Sequence, residues 1–205
     1  MTIQPIVEGD TEVVTLPLLL RRLIAEAGAY TVDIGYPVKR PRSLLSREDG
    51  VHEAVRLARL EPDCDAILIV FDADDDCPKD LAPGVQAWAQ AAAARLPCYV
   101  VMPNREFEAW FLAAIESLRG TRGIRHDATS HPDPESKRGA AEELRRRMTP
   151  NRTYSKRTDA AALIQALDLA EAHRRCRSFR RMVRAFGLLA NELGVTLPQW
   201  PPAGW

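Results

Sequence analysis

A short apolar run that ends abruptly in acidic residues constrains this chain more than any other stretch. Residues 66–71 read Ala-Ile-Leu-Ile-Val-Phe, and four carboxylates follow almost at once, at Asp72, Asp74, Asp75 and Asp76. A run of this kind is typical of a strand buried on both faces in a parallel sheet. Open α/β sheets place their ligand sites at the carboxyl ends of the strands, so the run predicts a site at these acids.

The acidic turn after this run needs something to balance its charge. Carboxylates this close repel one another unless a cation or a basic side chain compensates them. Asp72 and Asp74 are two residues apart, so in an extended chain they point the same way. That arrangement suits two oxygen ligands of one hard divalent cation. The alternative is a solvated acidic turn that caps the next helix.

A further carboxylate is predicted at the same edge of the sheet. Residues 3–7 indicate a first strand, and Glu8 and Gly9 follow it directly. Apolar residues then recur at helical spacing, and Gly9 allows a tight turn between strand and helix. Glu8 should therefore lie beside Asp72, unless it is a solvated turn residue. Glu12 falls in the first helical turn, where the helix dipole favours an acid with or without a functional role.

The rest of the first half alternates between helical and strand patterns. Proline cannot donate to a sheet ladder, so Pro5 argues against a central position for the first strand. The later patterns predict strands over residues 30–38 and 97–102 and helices over residues 47–60, 81–96 and 104–113. This β-α-β-α-β-α-β order predicts an α/β fold, with a mostly parallel, Rossmann-like sheet flanked by helices.

Glu108 stands out because it lies among the aromatic residues Phe107, Trp110 and Phe111. Desolvating a bare carboxylate is costly, so Glu108 needs a partner such as a metal ion or an arginine. Glu106 is two residues away, and a helix turns such a pair to different faces. At most one of the two glutamates is therefore expected in a common site.

The formal net charge of zero hides an asymmetry between the two halves of the chain. Residues 1–118 contain 11 Lys and Arg against 19 Asp and Glu, so 11 − 19 = −8. Residues 119–205 contain 17 against 9, so 17 − 9 = +8. This split suggests a cation-binding site beside a surface for a polyanion. The alternative is that the two halves only pair with each other electrostatically.

The basic half predicts a long loop and helices. Residues 119–136 are rich in Gly, Pro, His and charge, which indicates a long mobile loop, and helices are predicted at about 137–148, 157–172 and 177–194. We therefore divide the chain into an α/β core, residues 1–118, and a C-terminal helical extension packed on it, residues 119–205. Five arginines could hold a phosphate backbone: Arg174, Arg175, Arg177, Arg180 and Arg181.

Several common classes of protein are not indicated. No apolar run is long enough to span a bilayer and no signal peptide is evident, so we expect a cytoplasmic protein without a membrane partner. The four cysteines lack the spacing of zinc sites or of a disulfide framework. There is no GxxxxGK[ST] phosphate loop and no GxGxxG fingerprint, so any ATP-dependent step needs another chain.

The site residues resemble those of a known family. Glu8-Gly9-x2-Glu12 after a first strand and Asp72-x-Asp74 after a later one resemble the Toprim domain of topoisomerases, primases and OLD-type nucleases. The segments Phe107-Glu108-Ala109-Trp110 and Tyr154-Ser155-Lys156, with Ser178-Phe179 downstream, resemble the smaller branch of DUF4276 and RloB-like Toprim proteins. That branch is associated with bacterial phage defence. The resemblance runs from residue 3 to about residue 190.

The resemblance implies a role for each matching residue. Glu8 would be a general base or a metal ligand, and Lys156 would stabilise a pentavalent phosphate. Asp72 and Asp74 would bind one metal ion, and Glu108 would bind a second. Asp76 and Glu12 would be auxiliary, Asp76 as a further metal ligand. Asp75 stands where several OLD-like sequences have glycine, which leaves open which of Asp74, Asp75 and Asp76 bind metal.

Together these features lead us to expect a nuclease that uses Mg2+ or Mn2+ to hydrolyse phosphodiester bonds in DNA or RNA. The resemblance further implies an effector of a phage-defence system that works with an AAA- or ABC-type ATPase, with oligomer formation possible. The alternative is a catalytically silent subunit of such a system that binds nucleic acid or acts as a toxin or sensor.

Overall fold

A computed structural model describes residues 1–136 and 138–205. In this part of the chain, five parallel strands form one sheet in the order β2-β1-β4-β5, and β3 also pairs with β1. The strands are β1 (Thr2–Val7), β2 (Asp33–Ile34), β3 (Val38–Lys39), β4 (Cys64–Val70) and β5 (Cys98–Val101). The prediction of an α/β fold with a mostly parallel sheet is confirmed.

Helices cover both faces of the sheet and continue into the basic half. They are α1 (Asp10–Ala27), α2 (Arg42–Leu45), α3 (Glu48–Ala58), α4 (Pro78–Ala93), α5 (Ala109–Ala113), a 3-10 turn (Ile115–Leu118), α6 (Ala140–Arg146), α7 (Lys156–Ala166), α8 (Leu169–Arg175) and α9 (Arg177–Glu192). Side chains of β4 alternate between the two faces. Leu68 and Val70 pack in the cluster that includes α1 and α9, and Ile67 and Ile69 pack with α3 and α4.

The sheet edge beside β1 differs from the sequence prediction. Residues 30–38 do not form one strand, because two short strands, β2 and β3, flank an unpaired segment that contains Tyr36. Gln4 donates its side-chain amide to the Tyr36 carbonyl. Pro5 lies in a central strand, against expectation, because its nitrogen faces this unpaired segment and no ladder hydrogen bond is lost there.

Two predicted helices differ from the observed ones. The segment predicted as a helix from residue 104 turns irregularly first, since Arg105 has φ +65°, and α5 begins at Ala109. The helix predicted over 157–172 is two helices, because Leu167 is extended and Asp168 starts α8 by accepting a hydrogen bond from the Glu171 backbone N–H at 2.8 Å. Residue 137, where another helix was predicted to begin, lies outside the described residues.

The basic half packs against the α/β core. One hydrophobic cluster contains Ile3 and Leu20 from the core together with Phe179 and Phe186 from α9. Residues 119–136 form no helix or strand within the described part, but Ile124 makes an isolated bridge to Met148. No helix in residues 1–136 or 138–205 has the length and apolar character that crossing a membrane requires.

Candidate functional site

The carboxyl ends of β1 and β4 meet at one edge of the sheet. The two strands pair in parallel with Val7 opposite Val70, and Glu8 and Asp72 follow them. The backbone N–H of Asp72 donates to Glu8 Oε2 at 3.3 Å. The structure thus brings together two acids that are more than sixty residues apart in the sequence.

Glu12 reaches the same place from the first turn of α1. A Cβ atom at Gly9 would lie 2.8 Å from Glu12 Oε2, so this carboxylate folds back over the turn and would have to move if residue 9 carried a side chain. Burial raises the pKa of Glu12, and repulsion from Glu108 raises it further. Burial also raises the pKa of Glu8, although the hydrogen bond from Asp72 lowers it. Both acids hold their protons more tightly than free glutamate.

Asp72 is partly buried at the centre of this edge. Its Oδ1 accepts a hydrogen bond from the Phe107 backbone N–H at 2.8 Å, which joins the end of β4 to the segment that follows β5. Burial raises the pKa of Asp72 well above its usual range, and repulsion from Glu108, Glu12 and Glu8 adds to the effect. The ionised form of Asp72 is therefore destabilised by its surroundings.

Glu108 lies close to Glu12 and Asp72, and only 1% of it is exposed. Its Oε1 accepts a hydrogen bond from the buried Tyr154 hydroxyl at 3.1 Å. Its Oε2 is 3.1 Å from Lys156 Nζ but has no hydrogen bond of good geometry within the described residues. Burial and the negative charge of Glu108 raise the pKa of Tyr154, so the tyrosine remains a proton donor.

Lys156 adds a cation to this group, and 43% of its side chain is exposed. Burial lowers the pKa of Lys156, but attraction from Glu108, Asp72 and Glu12 outweighs burial and raises it overall. The lysine is therefore charged at neutral pH. It pairs with Glu108 and not with Asp159, which is buried and accepts a hydrogen bond from the Ser155 backbone N–H at 2.9 Å.

The remaining acids of the turn are paired with arginines. Asp74 has φ +50°, so the chain is not extended at this residue; its carboxylate faces Arg42, whereas that of Asp72 accepts the Phe107 backbone N–H. Arg42 lies 3.2 Å from Asp74 Oδ2, pairs with Asp76, and donates to the backbone carbonyls of Asp72 and Ala73 at 3.1 and 2.9 Å.

Asp75 pairs with Arg138 and lies 3.9 Å from Arg105. The basic partner that the sequence required for this turn is therefore present within the chain. Arg42 was not among the predicted site residues. The only sequence feature that could have indicated its role is the short basic stretch of residues 39–42.

A scan against protein-family models matches residues 7–186 to the domain of unknown function DUF4276. The chain belongs to the DUF4276 family. The match includes each of the five residues gathered at the sheet edge: Glu8, Glu12, Asp72, Glu108 and Lys156. Comparison with curated proteins and with solved structures gives no match.

Three of the five arginines predicted to bind nucleic acid have partners within the described part of this DUF4276 member, and two do not. Arg174 and Arg175 pair with Glu171, and Arg180 donates to the backbone carbonyls of residues 173 and 174. Arg177 and Arg181 are exposed, and their side chains have no partner within the described residues. These two arginines are therefore free to contact an external anion.

The chemistry of the gathered acids fits a hard divalent cation, which prefers carboxylate oxygens. Burial and repulsion between neighbouring acids raise the pKa values of Glu8, Glu12 and Asp72, while Glu108 Oε2 is compensated by Lys156 Nζ at 3.1 Å. A metal cation would relieve the repulsion among these acids. No group of three or more metal-ligating side chains is already arranged around one point among the described residues. Side-chain rotation would have to accompany binding.

Proposed function

We propose that this DUF4276 member is a metal-dependent nuclease that hydrolyses phosphodiester bonds in DNA or RNA. One observation carries the proposal: four carboxylates and one lysine from separate elements meet at the carboxyl edge of adjacent parallel strands. Such edges are where α/β sheets bind their ligands, and carboxylates with perturbed pKa values are typical of functional sites.

Glu8, Asp72 and Glu108 would hold Mg2+ or Mn2+, with Glu12 beside them. When bound, such ions stabilise the attacking and leaving oxygens of an in-line displacement at phosphorus. Asp74 and Asp76 remain predicted ligands. Each would have to break its ion pair with Arg42 in order to bind the metal ion.

The protein's own groups would position the substrate and move the proton. In its alternative role, without a bond to the metal ion, Glu8 would instead accept the proton of the attacking water, for which its raised pKa is suited. Lys156 would donate to a non-bridging phosphate oxygen as negative charge develops there. Tyr154, through its hydrogen bond to Oε1, would hold Glu108 in one orientation.

A cleavage assay tests this proposal directly. Plasmid, single-stranded DNA and tRNA would each be incubated with the protein and Mg2+ or Mn2+, alone and with an ATPase encoded nearby. We expect cleavage that is abolished by EDTA and by Glu8→Gln. The variant Asp127→Asn, on a surface residue paired with Arg125, serves as the matched control and should retain activity.

Lys156→Ala should lower turnover by about a hundredfold with little change in substrate affinity. Only interactions that are stronger in the transition state accelerate the chemical step, and removing one such donor typically costs about 10²–10³ in rate. Single-turnover cleavage rates and a separate binding titration would measure the two effects.

The neighbouring Arg157, which is exposed on the first turn of α7, provides the control for charge alone. Arg157→Gln should leave turnover within about twofold, because a solvated surface charge contributes little. Unchanged turnover in Lys156→Ala, beside an inactive Asp72→Asn, would remove the lysine from the chemistry while leaving the metal site intact.

A second candidate is a catalytically silent subunit that binds nucleic acid or acts as a toxin or sensor. The observation that favours it is that Arg42 and Lys156 already compensate Asp74, Asp76 and Glu108. Binding of nucleic acid without cleavage in either metal, with or without the ATPase, would support this candidate over the nuclease.

The wider role follows the same proposal. The resemblance of the site residues to Toprim, RloB-like and OLD-type proteins supports an effector of bacterial phage defence acting in the cytoplasm. The sequence has no GxxxxGK[ST] loop, so an ATP-dependent step would be supplied by an AAA- or ABC-type ATPase on another chain.

A further inference from the structure

A cavity of about 240 Å³ lies beside the carboxylate site. It opens where β5 ends and where α4 and α9 begin, and its lining includes Pro78, Met102 and Asn104. β5 is the direct neighbour of β4, with Val70 opposite Val101. Adjacent strands are about 4.8 Å apart, so the cavity opens at the end of the strand next to the one that Asp72 follows.

Three cations line this cavity: Lys79, Arg177 and Arg181. All three are exposed, and none has a partner for its side chain among residues 1–136 and 138–205. Arg177 and Arg181 are four residues apart on α9, which places their guanidinium groups on one face of the helix. Each guanidinium group can donate two parallel hydrogen bonds to the oxygens of a phosphate, so these two arginines suit a phosphate ligand.

Glu135 also lines the cavity, but it forms no ion pair with these cations among residues 1–136 and 138–205. Its two carboxylate oxygens accept the backbone N–H groups of Arg177 and Ser178, each at 2.8 Å. The first amides of α9 are therefore already occupied. An anion in the cavity would therefore have to bind the side chains of the cations and not the backbone amides at the start of α9.

Asn104 supplies a group that can recognise a base. One of its amide hydrogens points to the Glu135 carbonyl at 3.4 Å, which leaves its oxygen and its second N–H available. A free amide donor and acceptor match the edge of a nucleobase that is not base-paired. Pro78 and Met102 add apolar surface for the face of the base.

We propose that this cavity holds one unpaired nucleotide of the substrate strand, with its phosphate on Arg177, Arg181 and Lys79 and its base against Asn104. The inference rests on the proposed nuclease function and deepens it, since it assigns the enzyme to single-stranded substrate. A base inside an intact duplex is stacked and paired and does not enter a cavity of this size.

Cys77 offers a probe of the cavity that does not depend on cleavage. It lines the cavity and is exposed, whereas burial raises the pKa values of the other thiols, to about 11 for Cys64 and about 12 for Cys98 and Cys176. The rate at which Ellman's reagent modifies the full chain would be measured in EDTA, with Cys77→Ser identifying the Cys77 component.

A saturating single-stranded 12-mer should slow modification of Cys77 at least fivefold, while a blunt duplex of the same length should not. Arg177→Gln combined with Arg181→Gln should remove the protection. Arg184→Gln, an exposed arginine on the same helix that does not line this cavity, should keep it.

Equal protection by the duplex, or none by a bound single strand, would overturn the inference. Protection by AMP at the same concentration as the 12-mer would also overturn it, because the cavity would then serve a free nucleotide. If Cys77 is protected but no metal supports cleavage, the nuclease function fails and the nucleotide site remains. If the enzyme cleaves but single-stranded DNA does not protect Cys77, the nucleotide site fails and the nuclease function remains.

Discussion

Asp72→Asn is expected to abolish cleavage and at the same time to stabilise the metal-free protein. Asparagine keeps the Oδ1 acceptor for the Phe107 N–H but removes a charge that burial and three neighbouring acids disfavour. Relief of about 1 kcal/mol would raise Tm by about 2–4 °C in a domain of this size. Thermal unfolding of both proteins in EDTA, followed by the cleavage assay, would measure the two effects.

The stability gain should depend on pH with a definite sign. Folded Asp72 has the higher pKa, so between its ordinary and its raised value the folded state holds more protons than the unfolded state. Wild-type stability therefore falls as pH rises through that window, and the Asn variant escapes this loss. The difference should be smallest near about pH 3, where Asp72 is protonated in both states, and should grow as pH rises through that window.

A lower Tm for metal-free Asp72→Asn at neutral pH would contradict this account and would assign Asp72 a structural role. Asp127→Asn, on the surface, should leave Tm within about 1 °C at every pH, because exposed ion pairs contribute little.

Arg42→Ala is expected to destabilise the protein by about 3 kcal/mol and to lower Tm by about 6–12 °C. The arginine donates to the backbone carbonyls of Asp72 and Ala73 and pairs with Asp74 and Asp76, so its loss leaves carbonyls without a donor and acids without a cation. Millimolar Mg2+ should restore more Tm in the variant than in the wild type, because the released carboxylates can bind it. Calorimetry with and without Mg2+ would measure both.

The matched control is Arg47→Ala, which removes an exposed arginine that pairs with Asp49. Its expected cost is under about 1 kcal/mol. An Arg42→Ala variant that melts like Arg47→Ala would show that the acidic turn holds its shape without the arginine.

The central part of the fold could be predicted because its local signals agree. Residues 66–71, before Asp72, are all apolar and three of them are β-branched, which predicts a strand buried on both faces, and β4 packs in both hydrophobic clusters. The edge of the sheet could not be predicted in the same way. The predicted strand over residues 30–38 is replaced by β2 and β3, and the Tyr36 carbonyl between them accepts a hydrogen bond from Gln4, a tertiary contact that leaves no periodic pattern in the sequence.

The site shows the same division between local and long-range information. Glu8 and Asp72 could be placed together because parallel strands bring their carboxyl ends to one edge. The start of α5 at Ala109 could not be predicted, since the turn before it depends on the Asp72 carboxylate binding the Phe107 N–H. The role of Arg42 also depends on carbonyls thirty residues away.

The hydrogen bond between Tyr154 and Glu108 has a consequence for the order in which the protein acquires its chemistry. The sheet edge is encoded by residues before position 109, but the groups that hold and neutralise Glu108 come from positions 154 and 156. During synthesis, a nascent chain whose sheet has fully emerged from the ribosome still lacks Tyr154 and Lys156. A ribosome-bound intermediate would therefore carry the carboxylates without their lysine, which delays any phosphate chemistry until most of the chain has emerged and packed.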